Sequence, residues 1–234
     1  MASLEKVTAF ILRQTGPGRQ LLLFRHPSAG IQFPAGTVEP GEAPEAAAAR
    51  EAAEETGLDG LRLVEFVGVR EEEAVIGDHY VARTTTAYSR PDPASFDWAR
   101  LRIGLTVKLL RRADGYAQVT FEEPDRWPDP QYATYQITGW VPEDCICKTA
   151  RRHFYLFACE SDQPDRWTVA IDHHIFAPFW APLTDLPEII EPQRPWLKLL
   201  LEHFAGEAMN NEKNKLVCSV NRGQDTADKQ YYYR

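Results

Sequence analysis

Residues 36–58 read GTVEPGEAPEAAAAREAAEETGL, and this stretch sets the frame for the rest of the chain. It gathers Glu42, Glu51, Glu54 and Glu55 around a single Arg50. Four carboxylates this close repel one another unless positive charge sits among them. Pro44 suits the first turn of a helix, where its missing N–H is not needed. Ala46 to Thr56 is an Ala- and Glu-rich run of high helix propensity, and Gly57 is a natural C-terminal stop. On that helix Glu51, Glu54 and Glu55 are spaced i, i+3, i+4 and share a face. Ala46, Ala49 and Ala53 are expected on the opposite face, small enough to let the helix approach a sheet. Gly36, Pro40 and Gly41 shape a preceding loop that carries Glu42 back toward the acids. Hard oxygen donors gathered in this way suit Mg²⁺ or Mn²⁺. The competing reading is a solvated acidic helix with an Arg50–Glu54 charge pair.

The stretch also fits G-x5-E-x7-R-E-U-x-E-E-x-G-U, where U is aliphatic. Gly36, Glu42, Arg50, Glu51, Glu54, Glu55 and Gly57 fill the fixed places, and Ala52 and Leu58 the aliphatic ones. This resembles the Nudix box, the signature of the Nudix hydrolases. The resemblance implies an α/β fold, a Nudix-type α/β/α sandwich with a mixed β-sheet, here with a β-rich insertion. It implies Mg²⁺- or Mn²⁺-dependent pyrophosphohydrolysis, water attacking phosphorus in a nucleoside diphosphate linked to another moiety. Glu54 and Glu55 would then ligate the ion directly, and Glu51 would be a third ligand or the base. Arg50 would orient the glutamates through charge-assisted hydrogen bonds, and the Ala35 carbonyl would add an oxygen ligand. Arg25, Glu42 and Asp172 belong to the substrate side of the expected site. Glu42 bridges loop to helix or ligates through water. Asp172 matches by position the acid that precedes the last strand in the family, with His174 and Glu160 behind it. A non-hydrolytic nucleotide-binding sensor and a diphosphate-ester isomerase are the alternatives on the same scaffold.

Bulk properties bound the partners. A net charge of −8 over 234 residues argues against general affinity for nucleic-acid backbones. A nucleotide or other diphosphate-containing small molecule that brings its own metal is compatible with it. No apolar run reaches the length of a membrane span, and no secretory leader is legible at the start. Cys145 and Cys147 are too close in sequence for the usual zinc pair, so reduced thiols and a cytoplasmic setting are expected. A homodimer is an expectation carried from the family.

Read in order, Lys6–Arg13 and Gln20–His26 form a hairpin around Thr15-Gly16-Pro17-Gly18, and Ile31–Phe33 leads into the box. After the helix come strands at Leu61–Arg70, ending in the acidic Glu71-Glu72-Glu73, and at Asp78–Ser89. Residues 90–150 read as an insertion without an obvious core of its own. It contains Leu101–Arg111, a turn at Ala113-Asp114-Gly115 and a Pro- and aromatic-rich piece from Pro124 to Pro142, whose aromatics either pack or stack a base. Arg152–Cys159, Trp167–Ile171 and Ile175–Leu183 are further strands, and Pro195–Gly206 is an amphipathic helix. The expected organisation is a single domain over 1–206, followed by a polar tail over 207–234.

Overall fold

The structure, a computed structural model, describes residues 3–16, 18–127, 129–171 and 174–206. Asp172, Cys218 and the expected tail lie outside the described residues. In chain order the elements are β1 (Leu4–Thr15), β2 (Gly18–His26), β3 (Gly30–Gln32), β4 (Ala35–Thr37), α1 (Pro44–Thr56) and β5 (Arg62–Glu73). Next come β6 (Asp78–Val81), β7 (Thr85–Tyr88), β8 (Asp97–Leu101), β9 (Thr106–Ala113), β10 (Tyr116–Pro124), β11 (Ala133–Pro142) and β12 (Ile146–Cys147). The chain closes with β13 (Thr149–Ala158), β14 (Val169–Ile171) and β15 (His174–Pro182), and with a helix over 194–206. The described residues up to 190 form one compact unit, and 191–206 belong to a second.

The first sheet runs β14-β15-β2-β1-β13-β5, with β3 on β2 and β4 on β1. The β1–β13 pair is parallel and its other pairs are antiparallel. The sheet is therefore mixed, and the molecule is α/β as the box resemblance implies. Helix α1 lies on this sheet. Its Ala47, Ala48 and Ala52 are buried against Val7, Ala9, Ile11, Leu22, Tyr155, Phe157 and Trp180. Methyl side chains on the helix leave room for large ones on the strands, so the two layers can approach closely. The buried stripe is Ala47, Ala48, Ala52 and Thr56, whereas Ala46 is exposed. The face assigned from sequence was thus rotated by about one residue.

Both ends of α1 are set by local chemistry. Pro44 occupies the first turn, and Gly57 adopts φ 70° with its N–H on the Ala53 carbonyl. A left-handed residue at that position is open to glycine at little steric cost. The Trp167 indole N–H donates to the Thr56 carbonyl at 2.6 Å, satisfying an acceptor that the helix leaves unpaired.

The second sheet runs β12-β6-β9-β10-β11-β7-β8. It has a core of its own: Val81, Ala87, Leu101, Val107, Ala117, Val119, Phe121, Val141 and Ile146. This corrects the expectation that the inserted region lacks one. The Asp114-Gly115 turn is as expected, both residues at positive φ between the paired Ala113 and Tyr116, which is the two-residue hairpin geometry. Two breaks were not foreseen. The expected strand Asp78–Ser89 divides into β6 and β7 because β6 pairs with β9 and β12 while β7 pairs with β8 and β11. The expected strand Leu101–Arg111 divides at Gly104, whose φ is 90°.

Candidate active site

The site is built on the loop from β4 into α1. Arg50 is its hub. Its Nε donates to Glu42 Oε1 at 2.9 Å and its Nη2 to Glu42 Oε2 at 3.0 Å, a two-pronged pair that fixes the guanidinium plane. Its Nη1 reaches Glu51 Oε1 at 3.0 Å and Glu54 Oε2 at 3.1 Å, and its Nη2 also reaches the Thr37 carbonyl at 3.0 Å. The hydrogen bond from Arg50 holds the Glu42 carboxyl below its ordinary range, and Glu42 in turn raises the guanidinium. Glu42 also accepts from the Glu39 N–H at 3.0 Å. Its oxygens thereby tie the loop to the helix.

The three helix carboxylates differ in environment. The Thr37 N–H donates to Glu51 Oε1 at 3.2 Å. Gly36 makes room for that carboxylate, since a Cβ there would fall 2.0 Å from the Glu51 carboxyl carbon. Burial raises the Glu51 pKa, against the opposing pull of Arg50. Glu55 is largely buried and accepts from the Ala35 N–H at 2.8 Å. Burial pushes its pKa well above the ordinary value, and the neighbouring charges of Glu51 and Glu54 push the same way. Glu54 keeps 55% of its side chain exposed.

One cation, Arg50, thus serves three of the four carboxylates. Among the described residues no Lys or Arg forms an ion pair with Glu55. Negative charge concentrated in a partly desolvated place calls for a further cation. Among the described residues no three His, Cys, Asp or Glu side chains close into a metal cage. The donor set is an open one. Such a set fits a small hard ion that keeps water and takes substrate oxygens as well. Glu51, Glu54 and Glu55 are the residues that would hold it, with Ala35 adjacent.

Other expected residues lie elsewhere. Arg25 is exposed at the end of β2, across from Ala177 and Ile31. It lines a small cleft of about 140 Å³ with Arg166, Trp167, Pro178 and Phe179, apart from the Arg50 network. Glu160 pairs on the surface with Arg62 at 2.6 Å, and His174 stands with its ring 5.3 Å from that of His26. In the Glu71–Glu73 triplet, Glu72 is bound by the buried Arg152 at 2.9 Å. Asp172 falls outside the described residues. Thr37 was not singled out from sequence, although its N–H holds Glu51 and its carbonyl holds Arg50. Both contacts are made by the backbone, so the residue type carries no sign of them.

The family model for the NUDIX domain matches residues 4–96, a span that contains the whole of this carboxylate–arginine network. Residues 4–96 are a NUDIX domain. The matched domain is that of the Nudix hydrolases. No curated protein matches the chain. Among solved structures it is similar to an Ap4A hydrolase of C. elegans, at 14% identity over 88% of this chain and 98% of that one, with a TM-score of 0.36. It is also similar to a NUDIX hydrolase-type protein of Listeria monocytogenes, at 15% identity over 65% of this chain and 62% of that one, with a TM-score of 0.25. At these values neither likeness bears on what the NUDIX domain acts upon here. No helix among the described residues is long and apolar enough to cross a membrane.

Proposed function

We propose that the protein is a Mg²⁺- or Mn²⁺-dependent pyrophosphohydrolase that cleaves a nucleoside diphosphate linked to a second moiety. One observation carries the reading: a largely buried Glu55 carboxylate, pressed by Glu51 and Glu54, with no cationic partner among the described residues. When bound, a divalent ion supplies charge neutralisation for the diphosphate oxygens and lowers the pKa of water. Glu54 and Glu55 would hold the ion. Glu51, whose proton affinity is raised by burial, accepts the proton of the attacking water, the raised value bringing it closer to the working pH. Water oxygen bonds to phosphorus, the bridging P–O bond breaks, and a phosphate-bearing fragment leaves with the electron pair. Arg50 carries no substrate in this scheme. It sets the glutamates in place, and Glu42 sets Arg50.

The test is turnover of ADP-ribose, dinucleoside polyphosphates, dNTPs, NADH, CoA and capped RNA with Mg²⁺ or Mn²⁺, in ¹⁸O-labelled water. The expected result is metal-dependent cleavage of at least one compound with one ¹⁸O in a phosphate product. No turnover on any of them, together with no ion bound at millimolar concentration, would overturn the reading.

A further inference from the structure

The second sheet carries a cavity of about 460 Å³ that the carboxylate site does not use. That size suits a small organic ligand. Its floor comes from the sheet. Lys108 lies directly across from both Asp78 on β6 and Thr120 on β10, so the three side chains stand in a row on one face. Lys108 Nζ pairs with Glu122 Oε2 at 2.8 Å, and Glu122 Oε1 accepts from Gln136 Nε2 at 2.7 Å. Among the described residues the Asp78 carboxylate has no hydrogen-bond donor and no ion pair within 4.0 Å, which leaves an acceptor for a ligand.

The rim comes from the β10–β11 connection. Trp127 and Tyr132 line the cavity there, yet are 47% and 64% exposed. Large aromatics this open are not explained by core packing. Their segment is nevertheless held. Asp125 accepts from the Gln131 and Tyr132 N–H groups at 2.8 and 3.3 Å, and the Trp127 N–H donates to the Ser28 carbonyl at 2.8 Å. The aromatic wall is thus pinned before any ligand arrives, which lowers the ordering entropy of binding.

The charges select the ligand class. Asp78 and Glu122 set two negative charges against the one positive charge of Lys108, so the cavity opposes a phosphate. Carboxylate acceptors behind aromatic walls favour a flat ring with N–H donors on its edge. The geometry points to an accessory site for a nucleobase, entered base first, with the ring against Trp127 and Tyr132 and its edge on Asp78. This inference does not rest on the hydrolase reading, because its floor and rim lie outside the carboxylate–arginine network.

The test is isothermal titration calorimetry without divalent ions, using adenosine, guanosine and, as a probe lacking a base, ribose 5-phosphate. Adenosine or guanosine is expected to bind saturably and ribose 5-phosphate not at all. Trp127→Ala and Tyr132→Ala should each weaken binding by about tenfold, the usual scale for a lost stacking partner. Tyr132 is exposed enough that its variant should fold, which guards against a trivial loss. Asp78→Asn should weaken binding, whereas Glu55→Gln should leave it unchanged. No saturable binding by either nucleoside, or binding untouched in both aromatic variants, would overturn the assignment. Since no metal or turnover enters this readout, its failure would leave the hydrolase reading standing.

Discussion

Gly104 and Thr37 meet where the second sheet touches the first. A Cβ on Gly104 would fall 2.4 Å from Thr37 Oγ1 and 3.3 Å from Thr37 Cβ. Thr37 is the residue whose N–H and carbonyl hold Glu51 and Arg50. The turn between β8 and β9 therefore abuts the loop that positions the carboxylates. Gly104→Ala is expected to lower kcat/KM by about 10- to 100-fold, the scale of displacements on the order of 1 Å at a catalytic group. Gly77 supplies the control: it has nearly the same conformation, φ 93°, with nothing within 4 Å of its would-be Cβ. Gly77→Ala should lose stability to the same backbone strain and keep its turnover. Thr37→Ala placed in Gly104→Ala removes the nearest obstructing oxygen and should restore activity. Equal kcat/KM for the two glycine variants would refute the coupling.

Arg50 is expected to be irreplaceable by lysine. The guanidinium makes hydrogen bonds to Glu42, Glu51, Glu54 and the Thr37 carbonyl at once. A lysine ammonium has three donors and no planar fork. Arg50→Lys should reduce kcat by about 100-fold or more while costing about 1.5–3 kcal/mol of stability, the range for hydrogen bonds to charged groups. Urea unfolding and steady-state kinetics measure the two separately. Wild-type kcat in Arg50→Lys would show that a single positive charge suffices.

Lys6 gives a pH dependence unconnected with the carboxylates. Burial and the nearby Arg152 charge push its pKa down to about 8, with Glu72 opposing, and its Nζ lies 4.1 Å from the Tyr80 ring centroid. Folding therefore releases a proton from this lysine between about pH 8 and its ordinary value of 10.5. In that window the unfolded chain binds more protons, so this group makes stability rise with pH. Below about pH 8 both states are protonated and the folded state carries the full penalty. Lys6→Met should raise stability at pH 7 by about 1–2 kcal/mol, part of the value of the shift at about 1.4 kcal/mol per unit. It should also flatten the rise above pH 8. Urea midpoints at pH 7, 8, 9 and 10 check this, and a destabilised Lys6→Met at pH 7 would contradict it.

The helix of the site was legible because its fixed residues impose both a pattern and a physical problem, four acids around one arginine. Its rotation was not. With alanine at 46–49 and again at 52 and 53, composition gives no phase, and the sheet decides that Ala47, Ala48 and Ala52 go inside. The Asp114-Gly115 turn was readable from two adjacent residues that tolerate positive φ. The core of the second sheet was not, since Val81, Ala87, Val107, Val119 and Val141 contribute one residue or a few from each strand. They become a cluster only through pairing across long separations. Arg25 was singled out as a charge at a strand end, and strand position alone does not tell which cleft such a charge enters.

The central claim is that Glu54 and Glu55 hold a divalent ion. The most direct measurement is the loss of the free Mn²⁺ resonance on titrating protein, by electron paramagnetic resonance, for the wild type, Glu54→Gln and Glu55→Gln. The account predicts binding by the wild type, weakened about tenfold or more in each variant, because a neutral amide replaces a charged oxygen donor. No loss of signal with the wild type at millimolar ion, or equal loss in all three proteins, would contradict it.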